Sequence, residues 1–153
     1  MNTYSVEVKK TVDFMKAIVQ QIDGQANLSL EGDLSNLENI DIQAKVDEET
    51  TSVKRHTIWP TLDFAVIRIN EGNKEKIIQH LFPQIGLKTK VDHVQIEKDG
   101  KLIMAAYDRF DPDCVWIGDW IGEGELQSLI EAEIISSFTE QKMENWGFRT
   151  WKP

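Results

Sequence analysis

A single cysteine, Cys114, is the whole thiol complement of these 153 residues, so no internal disulfide can form and nothing marks the chain for an oxidising compartment. A reducing cytoplasm is the expected setting. Long apolar runs are missing as well: FAVI and LIMAA are strand-sized and far short of a membrane span. The opening MNTYSVEVKK mixes charge and polarity from its first residues and lacks the apolar core of a secretion signal. Basic residues are scarce, 17 Lys and Arg against 26 Asp and Glu for a net charge of −9. That balance excludes the phosphate-neutralising surface on which nucleic-acid binding depends, and it disfavours anionic membranes. There is no Gly-x-Ser-x-Gly elbow, P-loop, His-Glu-x-x-His or Cys-x-x-Cys. No cofactor or metal is therefore implied by motif, and the prior for an enzyme falls. Internal repeats and low-complexity segments are absent too, so residues 1–153 read as one α+β domain.

The most structured stretch runs from Val91 to Ile117. Val94 and Ile96 alternate with His93, Gln95 and Glu97, the period of a strand with one buried and one polar face. Asp99-Gly100 is the preferred pair for a type I′ hairpin, because both residues tolerate positive φ. The returning strand is apolar on both sides, with Leu102, Met104 and Ala106 on one and Ile103, Ala105 and Tyr107 on the other. Such a strand belongs in the middle of a sheet. Asp111-Pro112-Asp113 turns the chain into a third strand at Val115.

Elsewhere the pattern alternates between periods of two and of 3.6. Tyr4, Val6 and Val8 give a first strand; Val12, Met15, Ile18, Val19 and Ile22 give a helix capped by Thr11 and stopped at Gly24. Leu28 and Leu30, then Ile40, Ile42 and Val46, suggest two modest strands. The residues from Asp47 to Thr51 read as a mobile connection, and Ser52 to Trp59 as a further strand ended by Pro60. FAVIRI is a second central strand. Asn73 caps a helix bearing Ile77, Ile78 and Leu81, with His80 near its apolar side and Pro83 at its end. Gly122 to Glu133 is a last helix, and Ile134 to Phe138 a last strand. Residues 139–153 form an aromatic-rich tail with Trp146 and Trp151. The expected architecture is a largely antiparallel sheet of about five to seven strands with two or three helices mainly on one face.

Two functional readings compete. From Asp108 onward ten acidic residues face four basic ones, and the chain's five tryptophans exceed what a small core needs, which suits interface anchors. This favours a non-enzymatic protein-binding module, of the inhibitor or immunity type, that captures a basic partner through Asp111, Asp113, Trp120, Glu123, Trp146 and Trp151. A homo-oligomer built on the aromatic tail is a second form of it. The alternative is a small-ligand-binding protein or hydrolase-type enzyme with a site near His93 and Asp108–Asp113, where Tyr107 and Glu97 also fall. His56, His93, Glu97 and Asp108 make a transition-metal or acid–base site if their strands meet. Three carboxylates between Asp108 and Asp113 also suit a hard cation, but their spacing fails the EF-hand pattern and fits an ordinary Asp-Pro turn. Gly118 to Gly124 is a weak phosphate-loop candidate, since its own acids repel phosphate. Cys114, beside Asp113, reads as an unreactive thiol.

Overall fold

Strand β1 (Asn2–Val8) leads directly into helix α1 (Thr11–Gln20), whose buried stripe is Phe14, Met15, Ile18 and Val19. The structure, a computed structural model, describes residues 2–37, 44–46, 48–85 and 90–142. After α1 come β2 (Ala26–Asp33), β3 (Ala44–Val46) and β4 (Asp63–Ile69). A helical stretch follows: α2 (Lys74–Lys76), a widened π-helical turn (Ile77–Leu81) and a 3-10 turn (Phe82–Gln84). The chain closes with β5 (Lys90–Lys98), β6 (Lys101–Ala106), a 3-10 turn (Pro112–Cys114), β7 (Val115–Gly118), α3 (Glu123–Glu131) and β8 (Ile135–Lys142). All strands join one eight-stranded sheet in the order β3-β4-β2-β5-β6-β7-β1-β8, and every neighbouring pair is antiparallel. The class is α+β, with the meander β5-β6-β7 contiguous at the centre.

The two sheet faces bury different chemistry. On one, α1, the stretch 74–84 and α3 cover Leu28, Leu30, Ile67, Ile69, Val94, Ile96, Met104 and Ile117 in a continuous apolar core. On the other, a smaller cluster of Val53, Phe64, Val66, Leu102, Ala105 and Tyr107 lies beneath residues 48–62. Leu102 belongs to this second cluster because the β5–β6 register shifts between Ile96 and Glu97, where Met104 and Leu102 are the successive partners. The extra residue, Ile103, is a bulge that breaks the expected alternation and turns Leu102 to the face of Tyr107.

Several local expectations change. Residues 52–59 form no strand: the whole stretch 48–62 is an irregular strap held by side chains from the sheet below. Asp47, Ile40, Ile42, Gly86 and the tail beyond Lys142, with Trp146 and Trp151, lie outside the described residues. β8 takes the first four residues of that expected tail into the sheet. Thr11 is the first helical residue rather than a cap; the N-cap position falls to Lys10, with no side-chain bond, and the N–H groups of Lys9 and Lys10 go to Ile134 O instead. Asn73 likewise makes no side-chain cap, because its amide accepts from Asn70 N–H and donates to Arg68 O. His80 is exposed, not packed: Ile77, Ile78 and Leu81 take the buried positions of the widened turn. Among the described residues no helix is long and apolar enough to cross a membrane.

Candidate functional site

The polar face of β5 is buried, and this builds the site. His93, Gln95 and Glu97 are 3%, 1% and 6% exposed, and Glu31, opposite His93 on β2, is 1% exposed. Buried polar groups need partners, and the strap supplies them at matching two-residue steps. Glu97 accepts from Thr50 Oγ1 at 2.7 Å, Ser52 N at 2.7 Å and Asn27 Nδ2 at 3.0 Å. Gln95 accepts from Lys54 N at 3.2 Å and donates to Lys54 O at 2.8 Å. The two Glu31 oxygens accept from His56 N at 2.7 Å and Thr57 N at 3.0 Å. The sheet therefore fixes the strap backbone much as a neighbouring strand would, using side chains in place of a ladder. Burial alone would raise the Glu97 pKa, but the bonds from Thr50, Asn27 and Ser52 outweigh it and hold the carboxyl below its usual range.

At the end of the strap His56 meets His93. Their ring centroids are 4.4 Å apart, and Tyr107 stacks on His56 at 4.0 Å and 14°. Asp108 N–H points at His93 Nδ1 at 3.1 Å, so that nitrogen carries the lone pair; the proton sits on Nε2, which donates to Thr57 Oγ1 at 2.7 Å. In this tautomer His93 cannot take the Thr57 proton, and the pair is no nucleophile–base dyad. Thr57 instead keeps its hydroxyl hydrogen for another acceptor. Burial, with His93 alongside, lowers the His56 pKa despite the opposing pull of Asp108. His56 is therefore neutral at pH 7, and its Nδ1 is buried without a hydrogen-bond partner among the described residues.

Asp108 is delivered by an unusual backbone. Asp108, Arg109 and Phe110 have φ of 52°, 58° and 61°, three consecutive left-handed residues, none of them glycine. Each costs roughly 1–2 kcal/mol relative to the right-handed form. The turn is over-determined: Arg109 N–H donates to Asp92 O at 2.8 Å, Arg109 Nε meets Asp92 Oδ1 at 2.7 Å, Tyr107 N–H donates to Cys114 O at 2.9 Å, and Phe110 packs edge-on against Phe14. Held in this way, the backbone fixes where the Asp108 side chain departs from it, while the exposed carboxylate itself is left free to rotate. The metal-ligating atoms of His56, His93 and Asp108 consequently lie within 4.8 Å of one another. Beside them opens a cleft of about 390 Å³ lined by Thr57, Pro60, Leu62, Asp92, His93, Asp108 and Arg109.

Of the residues singled out from sequence, His56, His93, Asp108 and Tyr107 are brought together, whereas Glu97 is consumed in holding Thr50 and Ser52. Asp111 is exposed and accepts from Asp113 N–H at 2.9 Å, as an Asp-Pro turn requires; Asp113 and Glu123 are exposed. Trp120 is half-buried, and its indole N–H donates to Ile103 O at 2.8 Å. Trp116 leans on the Tyr107 cluster. Among the described residues the exposed tryptophan is Trp59, at 85%, next to Ile58 at 79%. Burial, reinforced by Asp108, Asp111 and Asp113, pushes the Cys114 thiol up, away from the reactive thiolate. Sequence reasoning missed Glu31 and Thr57, and it placed Arg109 within the Asp108–Asp113 stretch without giving it a role. Glu31 alternates with Leu28 and Leu30 and was legible as a polar-face residue; nothing local announced the strap that covers it.

No family model, no curated protein and no solved structure matches this chain. Its class is defined by the fold and the cleft alone: an antiparallel α+β protein whose second sheet face, closed by a polar-laced strap, presents two imidazoles and a carboxylate.

Proposed function

We propose that this protein binds a small ligand in the cleft beside His56, His93 and Asp108. The observation that carries the reading is the convergence of these three side chains, one on the strap, one on β5 and one on a strained turn, beside a concavity that His93 and Asp108 line and that is within the size range of small-molecule sites. Pro60 and Leu62 offer an apolar wall, while the Thr57 hydroxyl, Asp108 and Arg109 offer donors and charge to a polar head group. The Cys114 thiol touches the site through Asp108, whose Oδ2 accepts from it at 3.8 Å. A reducing cytoplasm suits a chain with this lone thiol.

The test is a screen of metabolite mixtures by two-dimensional NMR of the labelled protein. A ligand of the cleft shifts the amides of Thr57, Leu62, His93, Asp108 and Arg109 together, and Thr57→Val and Arg109→Ala each weaken it. Shifts scattered away from these residues, or compounds bound equally by both variants, would sink the reading.

Ile58 and Trp59 favour a second reading, a protein partner. Two large apolar side chains this exposed at the rim of a cleft are suited to anchoring an interface. The exposed acids Asp111, Asp113 and Glu123 would then attract a basic partner. Loss of that partner on Trp59→Ala, with the cleft ligand still bound, separates this reading from the first.

A further inference from the structure

We infer that His56, His93 and Asp108 hold a divalent transition-metal ion of the zinc type, an inference that rests on the same cleft as the ligand reading and deepens it. Two imidazoles and one carboxylate form a mixed nitrogen and oxygen donor set. Such a set suits Zn²⁺ and its first-row neighbours, whereas Ca²⁺ and Mg²⁺ seek a shell of oxygens that a single carboxylate does not supply. With three protein ligands the fourth position stays open. It faces the cleft, because His93 and Asp108 both line it.

Each ligand is prepared by a different part of the fold. His56 is pinned on both sides: Glu31 holds its peptide and the next, and Tyr107 stacks on its ring. Its Nδ1 is buried with no hydrogen-bond partner among the described residues, although an unpaired buried nitrogen is costly. His93 has the tautomer a ligand needs. Nε2–H is spent on Thr57 Oγ1, the outer hydrogen bond that orients a metal-bound imidazole, and Nδ1 keeps its lone pair. That lone pair now accepts the Asp108 N–H at 3.1 Å, so a metal bond replaces one hydrogen bond at a turn already strained. Asp108 supplies the moving part. Ligand atoms at about 2.1 Å from a tetrahedral ion lie roughly 3.4 Å apart, and the three groups span up to 4.8 Å. Rotation of the exposed Asp108 side chain closes the difference.

The experiment is calorimetric titration of the full chain with Zn²⁺ against a competing chelator, repeated for His56→Gln, Asp108→Asn and Asp113→Asn. Asparagine tolerates the left-handed conformation at position 108, so Asp108→Asn removes the charge without breaking the turn. It keeps the test valid if His56→Gln does not fold. The expected result is one saturable site, weakened at least about tenfold by His56→Gln and Asp108→Asn and unchanged by Asp113→Asn. At 100 times the dissociation constant, Zn²⁺ should raise Tm by about 5–10 °C. Co²⁺ in the same site should show visible ligand-field bands that Asp108→Asn alters. Absence of saturable binding, or equal binding by all four proteins, overturns the inference. The ligand reading is checked separately, by the amide shifts of Thr57, Leu62 and Arg109 in the presence of EDTA. Organic ligand bound without Zn²⁺ affinity defeats the metal site alone, and Zn²⁺ bound without any organic ligand defeats the ligand reading alone.

Discussion

His56 shows how a single residue ties this site to stability. Its pKa is lowered in the folded protein, chiefly by burial and then by His93, so protonation favours the unfolded chain. The sign follows from linkage: the stabilising contribution is complete above the unfolded value of about 6.5 and is lost as pH falls from there through the lowered folded value. Denaturant melts across that window should show the midpoint dropping on acidification, and His56→Gln should flatten that part of the profile. Trp59 is the contrasting residue. At 85% exposure it contributes little to the fold, and Trp59→Ala should leave stability within about 0.5 kcal/mol. A larger loss in an equilibrium melt would mean that Trp59 packs against something in solution.

At the scale of the element, the strap depends on the sheet beneath it. Glu31 holds two strap peptides, and Glu31→Ala leaves the His56 and Thr57 N–H groups without partners at a cost of about 2–4 kcal/mol. Hydrogen exchange should report it locally, with amides 52–57 exchanging faster while those of α1 keep their relative protection. Uniform acceleration throughout would show the strap to be part of the global unit instead. Gly32 sets another local requirement, at the register shift between β2 and β5. A Cβ there would stand 2.2 Å from Lys90 O and 2.9 Å from Asp92 N. Backbone cannot yield as a flexible side chain does, so Gly32→Ala should destabilise by about 1–3 kcal/mol, read from the shift in denaturation midpoint. Because Asp92 also holds Arg109, the same change should disturb the turn that carries Asp108.

For the whole molecule, acid should act in two stages. His56 gives up its contribution below about pH 6.5, while Glu97, whose folded pKa is depressed, contributes fully above its ordinary value of about 4.5 and loses that contribution as pH falls through the folded one. Stability against pH should therefore show two declines, the lower one reduced by Glu97→Gln and the remainder shared with Asp33, whose carboxyl Ser35 also holds below its usual range. The periodicities of Val94 and Ile96, of FAVIRI and of the Met15 helix stripe were enough to specify an antiparallel α+β fold, because apolar faces at these periods leave few ways to build a core. Asp99-Gly100 fixed its hairpin for an equally local reason: both residues stand at positive φ, 53° and 75°. The burial of His93, Gln95 and Glu97 was not legible. A polar strand face reads as solvent-facing unless something covers it, and what covers it is an irregular strap with no period of its own. The meeting of His56, His93 and Asp108 belongs to the same class of fact. It depends on strand order, on side-chain bonds between segments tens of residues apart, and on a left-handed turn that no residue type in Asp108-Arg109-Phe110 announces. Local pattern determined which elements form, because φ/ψ preference and amphipathic period act over a few residues. Only the tertiary structure decided what those elements enclose, because satisfying buried polar groups is a condition on the whole fold.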